Sequence, residues 1–123
     1  MTFPPEMKPA PIKPAITIDD LTKIDIRAGT IEAADEVENS DKLVRLTVNF
    51  GDHKRCILSG IKKERPSYKE LEGRQTLFVV NLAPRKMAGL VSEGMLFDIG
   101  FADGVSPALA IPEKPVPDGT RAE

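Results

Sequence analysis

Side chains that bind metals or form disulfides are almost missing from this chain. Its 123 residues include one cysteine, Cys56, and one histidine, His53. A single cysteine excludes an internal disulfide framework, and the pair supplies too few soft ligands for a structural zinc site. No stretch approaches the roughly 18 consecutive apolar residues of a membrane span, and no basic-then-apolar leader opens the sequence. These absences predict a reducing, cytoplasmic home without membrane insertion. Stacking groups are also scarce: there is no tryptophan, one tyrosine and five phenylalanines. Phe50, Phe78 and Phe97 lie on strand patterns and read as core, which leaves little for a general single-strand binder that stacks bases on exposed rings.

Signatures of catalysis are missing too. No glycine loop ends in Gly-Lys-Ser or Gly-Lys-Thr to cradle phosphates. Gly89-Leu90-Val91-Ser92-Glu93-Gly94 is not a nucleophile elbow, because Leu90 stands where that motif requires glycine. His53 sits beside a hairpin turn and reads as solvated, and Cys56 alternates with apolar neighbours as a small hydrophobe would. The acids Asp35, Glu36 and Glu38 lack the spacing and central glycine of a calcium loop. The expectation is a protein that is not an enzyme and holds neither metal nor cofactor.

What the chain does have is a hidden division of charge. The formal net charge is −2. Between Lys54 and Lys86, however, nine basic residues meet only Glu64, Glu70 and Glu72, a net +6. The remainder holds eight basic and sixteen acidic residues, a net −8. Unless the charges interleave in three dimensions, one face attracts phosphate and the others repel it.

Five of eleven prolines fall within residues 1–14, predicting an extended, mobile tail ahead of a domain over 15–123. Thr17-Ile18-Asp19-Asp20-Leu21 reads as a capped first helical turn. Ile24, Ile26 and Ala28 alternate as a strand, with Gly29 permitting a bend before Ile31. Asp35 to Asp41 reads as an acidic loop. A strand from Leu43 to Phe50 leads through the two-residue turn Gly51-Asp52 into Lys54–Ser59. Ser67–Leu71, ended by Gly73, reads as a turn or two of helix. Gln75–Val80 and Met95–Ile99 are the fourth and fifth strands, and Ala108–Ile111 a last extended piece. This order suits an all-β fold, a five-stranded Greek-key barrel of the oligonucleotide/oligosaccharide-binding (OB) kind, although the pattern also allows another small Greek-key barrel.

Asn81 through Met95 is the richest segment. It sets Asn81, Arg85, Lys86, Ser92 and Met95 around Pro84, Gly89 and Gly94, between two apolar strands. The plain reading is a solvated loop; the functional one is a rigid display of ligand-binding groups. With Ser59-Gly60-Ile61-Lys62-Lys63 leaving a neighbouring strand, Lys62, Lys63, Arg85 and Lys86 could share one groove. The cations there suit phosphates, and Asn81 and Ser92 suit a base edge or 2′-hydroxyl. Folded RNA fits this composition better than a stacked single strand.

Asn81-Leu82-Ala83-Pro84-Arg85-Lys86-Met87-Ala88-Gly89, followed by Ser92-Glu93-Gly94-Met95, resembles the signature of the tRNA-binding domains. These modules occur in methionyl-tRNA synthetases, in the endothelial monocyte-activating polypeptide, and as free proteins. Asp41-Lys42-Leu43 and Leu58-Ser59-Gly60-Ile61 are similar to two further motifs of the family. The opening Leu21–Ile31 and the ending Pro115–Thr120 resemble its CsaA branch. The resemblance implies an OB-fold homodimer, with N- and C-terminal extensions used in dimerisation, that binds tRNA without catalysis or metal. Carried over by position, Lys42, Ser59, Asn81, Arg85, Lys86, Ser92 and Met95 would lie on the binding face. It also implies a second class of partner, because the CsaA branch is described as a secretion chaperone binding unfolded preproteins or meeting the export machinery. Met87, Leu90 and Val91 are the candidates for that apolar contact, and Leu109 and Ile111 for a dimer interface. Ordinary packing would explain all five equally well.

Overall fold

The computed structural model describes residues 9–123. The expected tail falls partly on residues 1–8, which lie outside the described residues. Pro9–Ile16 is exposed and without regular structure, and the Ala10 amide donates to the Asp103 carboxylate. Helix α1 (Ile18–Leu21) starts as its sequence predicts: the Thr17 hydroxyl accepts from the Asp20 amide, and the Asp20 carboxylate accepts from the Thr17 amide.

A curled, five-stranded antiparallel sheet follows, in the order β3-β2-β1-β4-β7. Its members are β1 (Ile26–Glu36), β2 (Val44–Asn49), β3 (Lys54–Ser59), β4 (Gln75–Val79) and β7 (Met95–Leu96). This is an OB-like barrel, as the element order suggested. The centre is β1, eleven residues long, whose first half pairs with β4 and whose second half pairs with β2. It changes partner at Thr30, and its register with β2 shifts between Ile31 and Ala33. A bulge there adds the twist that curls a sheet toward closure. Gly29 is required by space: a Cβ at this position would lie 2.6 Å from Val48 Cγ1 and 2.8 Å from Phe50 Cε1. The core gathers Ile31, Leu46, Ile57 and Phe78, all fully buried, with Leu71 of the 3-10 turn Tyr68–Leu71 plugging one end. Phe50 meets Phe78 edge-on, with ring centroids 5.6 Å apart.

Several expectations need correction. Asp35 and Glu36 belong to β1, paired with Arg45 and Val44, so the loop begins only at Val37. Their side chains face basic partners on neighbouring elements, which is why acidic residues are tolerated in a strand. The expected fifth strand divides. After Phe97, whose amide still donates to the Leu77 carbonyl, the chain leaves β4, and β8 (Asp98–Ile99) pairs instead with β9 (Ala108–Leu109). Phe97 is 40% exposed and not core, because Leu96 takes the inward position and successive strand residues point to opposite faces.

Candidate nucleic-acid interface

The segment read as a loop is a β-hairpin. Strands β5 (Arg85–Met87) and β6 (Leu90–Ser92) pair Arg85 with Ser92, Lys86 with Val91, and Met87 with Leu90. Ala88 and Gly89 form the two-residue turn, with φ of +49° and +81°. Two successive positive φ values match the right-handed twist of the flanking strands. The Ala88-Gly89 pair is the local chemistry that permits such a turn.

Both feet of this hairpin are pinned by side chains. At the first foot, the Asn81 amide accepts from the Asp25 N–H at 2.9 Å and donates to the Lys23 carbonyl at 2.6 Å. At the second, the Ser92 hydroxyl accepts from the Leu58 N–H and donates to the Gly94 carbonyl, each at 3.0 Å. Glu93 completes the seam, its amide donating to the Cys56 carbonyl and its carboxylate accepting from the Cys56 amide. The outer edge of β3 is thus satisfied by two side chains of the hairpin's exit. Ser92 is 4% exposed. Its hydroxyl holds the barrel seam and does not face solvent. Asn81 is exposed, but its amide is engaged on both sides.

Arg55 ties the feet together. Its Nη1 donates to the Val80 carbonyl at 2.6 Å and to the Glu93 carbonyl at 3.0 Å, while its Nε donates to His53 Nε2 at 3.0 Å. The guanidinium carbon lies 5.8 Å from the Phe50 ring centroid. No local motif announces this role; in sequence Arg55 is one of nine basic residues. Around it a cleft of about 470 Å³ is lined by Arg27, Asp25, Asp52, His53, Asn81 and Asp118, among others. The Arg27 guanidinium holds the Asp25 carboxyl below the usual carboxylate range, assisted by Arg121 and opposed by burial. The Cys56 thiol is pushed up by burial, so it is not poised as a nucleophile.

The basic stretch is partly neutralised by the acidic half of β1. Lys54 meets Glu32 at 2.8 Å, Lys62 meets Glu36 at 3.0 Å, and Lys69 meets Asp35 at 3.0 Å. Lys62, proposed as a phosphate contact, is only 23% exposed at its side chain, and its bond to Glu36 pushes its pKa up. Lys42, Lys63, Arg85 and Lys86 are exposed and make no ion pair among the described residues. The Lys62 amide donates to the Lys42 carbonyl, and Ser59 pairs with Val44, so Lys42 flanks the end of β3. Ser92 bonds Leu58 one residue before that end, and Arg85 is the cross-strand partner of Ser92. Met95 is 47% exposed on β7, and Val91 49% on the outer face of the hairpin beside Lys86; Met87 and Leu90 are half-buried.

Of the two residues suggested for a dimer interface, Leu109 is half-buried against the barrel's own core and Ile111 is 55% exposed. No helix among the described residues is long and apolar enough to cross a membrane.

Similar architectures carry related names. The chain superposes on the MetRS related protein from Pyrococcus horikoshii with a TM-score of 0.82 at 32% identity, covering 90% of this chain and 100% of that one. The chaperone CsaA of Bacillus anthracis str. Ames gives 0.75 at 27% identity over 89% and 100%. The CsaA chaperone protein from Picrophilus torridus gives 0.75 at 26% over the same shares. The family model described as "Putative tRNA binding domain" matches residues 26–121. A curled OB-like barrel, a doubly pinned basic hairpin and a match over most of the chain agree: the chain belongs to the tRNA-binding domain family.

Proposed function

We propose that this protein is a non-catalytic binder of folded tRNA, acting in the cytoplasm. The observation that carries the reading is the hairpin held at both feet, with Arg85 and Lys86 exposed and making no ion pair among the described residues. Rigid cations make better phosphate contacts than floppy ones, because less side-chain and loop freedom is lost on binding. Lys42, Lys63 and Ser59 extend the contact along the end of β3. Met95 and Val91 offer apolar contact beside it. Asn81 and Ser92 act as positioning groups that fix the hairpin.

The test is tRNA affinity as a function of salt. Counterion release makes log affinity fall linearly with log salt, and losing two phosphate contacts should reduce the slope by about 2. Arg85→Ala with Lys86→Ala is expected to weaken binding and flatten the slope together. An unchanged slope in the double variant would remove the hairpin from the interface.

A second reading rests on Leu82, Val91 and Met95, which expose apolar surface around the same hairpin at 48%, 49% and 47%. Such a rim suits unfolded preprotein segments, as expected of a CsaA-type chaperone, and the double variant should bind peptide nearly unchanged. We further infer a homodimer. Helix α1 buries none of its residues, and Ile18, Leu21, Ile24 and Ile26 line an apolar cleft of about 260 Å³ with Ala122. A second copy covering that cleft would use segments from both ends of the described chain.

A further inference from the structure

We infer that Arg55 is a positioning residue for the RNA-contacting hairpin, and that proton uptake by His53 releases it. This rests on the tRNA reading of the hairpin.

The contacts of the His53 ring assign a role to each of its nitrogens. An arginine has five N–H donors and no acceptor, so the 3.0 Å contact from Arg55 Nε to His53 Nε2 requires a lone pair on that nitrogen. The other ring nitrogen, Nδ1, lies 2.5 Å from an Asp52 carboxylate oxygen and carries the proton that is donated to it. In this arrangement His53 accepts at Nε2 and donates at Nδ1, and it bridges the turn Gly51–Asp52 to the arginine. Its ring also stacks on Phe50, at 5.6 Å and 23°. The same guanidinium reaches the carbonyls of Val80 and Glu93, which flank the hairpin on either side.

A second proton on the ring turns Nε2 into a donor that faces another donor. The bond to Arg55 is lost, and two cations stand where one stood. The groups around the ring are Asp52 on its own turn, Arg55 on β3, Arg27 and Asp25 at the start of β1, and Asp118 from the C-terminal segment. The Asp52 carboxylate lies against Nδ1. Asp25 is already engaged by Arg27 and Arg121, and Asp118 accepts from Thr30 and Gln75, so neither is free to compensate Arg55. The relief open to the site is movement of the Arg55 guanidinium away from the ring, which abandons the two carbonyls and loosens both feet of the hairpin. Arg85 and Lys86 then lose their fixed presentation. The outcome is a binder of RNA that weakens its grip on acidification, through a group that touches no RNA.

His53 is the chain's one histidine. The test measures tRNA affinity at about pH 7.5 and about pH 5.5 for the unchanged protein, H53Q and R55K, with folding of each checked by thermal melting. Protection of the hairpin amides from hydrogen exchange, corrected for intrinsic rates, is measured in parallel. The unchanged protein should bind about tenfold more weakly at the lower pH, the scale of one lost hydrogen bond to a charged group. In H53Q, and in R55K, whose ammonium lacks the planar fork, the ratio between the two pH values should collapse toward one. Hairpin protection should fall with affinity in the unchanged protein only. A pH ratio equal in all three proteins, or hairpin protection that ignores pH, overturns the inference. If tRNA does not bind at either pH while protection still falls only in the unchanged protein, the clamp stands and it is the tRNA reading that fails.

Discussion

Replacing Ser92 by alanine separates a seam residue from an RNA reader. The Ser92 hydroxyl is the acceptor for the Leu58 N–H and a donor to the Gly94 carbonyl, in a side chain only 4% exposed. Ser92→Ala leaves the Leu58 N–H without its partner at the edge of β3. An unmade bond of this kind costs roughly 1–3 kcal/mol, so about 2 kcal/mol is expected. With an unfolding entropy of about 2.1 cal/mol/K per residue, the chain as a whole gives about 0.26 kcal/mol/K, and the melting temperature should fall by about 8 °C. The assay is thermal unfolding followed by circular dichroism, with tRNA affinity measured well below the transition. Ser59→Ala is the control: Ser59 is half-buried at the end of β3, its hydroxyl makes no hydrogen bond among the described residues, and it should change stability by less than about 0.5 kcal/mol. A Ser92→Ala protein that melts within about 2 °C of the original, yet has lost tRNA affinity, would refute the seam argument and restore Ser92 as a direct contact.

Two other outcomes follow from the packing and the ion pairs. Gly29→Ala should cost about 1–3 kcal/mol, because the new methyl meets Val48 Cγ1 at 2.6 Å; a urea midpoint close to that of the original would show that the barrel corner yields freely. Asp25 has its folded pKa lowered, first by its hydrogen bonds to Arg27, so its contribution is present above its unfolded value of about 3.9 and is lost as pH falls through the folded one. Asp25→Asn should therefore be less stable near neutrality and lose less on going from about pH 5 to about pH 2; parallel urea-midpoint profiles for the two proteins would mean that the ion pair stabilises nothing.

Where periodicity and turn chemistry act locally, the sequence was legible. The Thr17–Asp20 cap, the Gly51-Asp52 turn and the core alternation Val44, Leu46, Val48 are each fixed by neighbours within a few positions. The motif at Asn81–Met95 pointed to the segment that the fold does single out. Its internal organisation was hidden because a three-residue strand carries too little alternation to stand out from a polar loop. The surroundings of the polar side chains were the least legible. Asn81 and Ser92 look like ligand readers in sequence because they are polar within a basic segment. Whether such a group faces solvent or a strand edge 34 or 56 positions away is decided by closure of the barrel, which no local window contains. The charge division was real along the chain, yet β1 returns Glu32, Asp35 and Glu36 to the lysines at Lys54, Lys69 and Lys62. That leaves a smaller set of free cations than the count suggested.

The first half of β1 has a consequence for the order of folding. Beyond the end of β2, its edge is completed by residues 119–122: Ala28 exchanges hydrogen bonds with Gly119 and Thr120, and the Ala122 amide donates to the Ile26 carbonyl. Arg121 reaches Asp25 across 96 positions of sequence. The loop that must close to make this contact spans most of the chain, and its entropy is lost before the contact gives anything back. During synthesis this edge of β1 stays uncovered until residues 119–122 have been made, and it is an open template for strand pairing until then. The same residues carry Asp118 into the cleft beside His53 and Arg55. The cleft beside the hairpin is thus complete only once residues 118–122 have docked, whereas the bonds that hold the hairpin itself are made within residues 23–94.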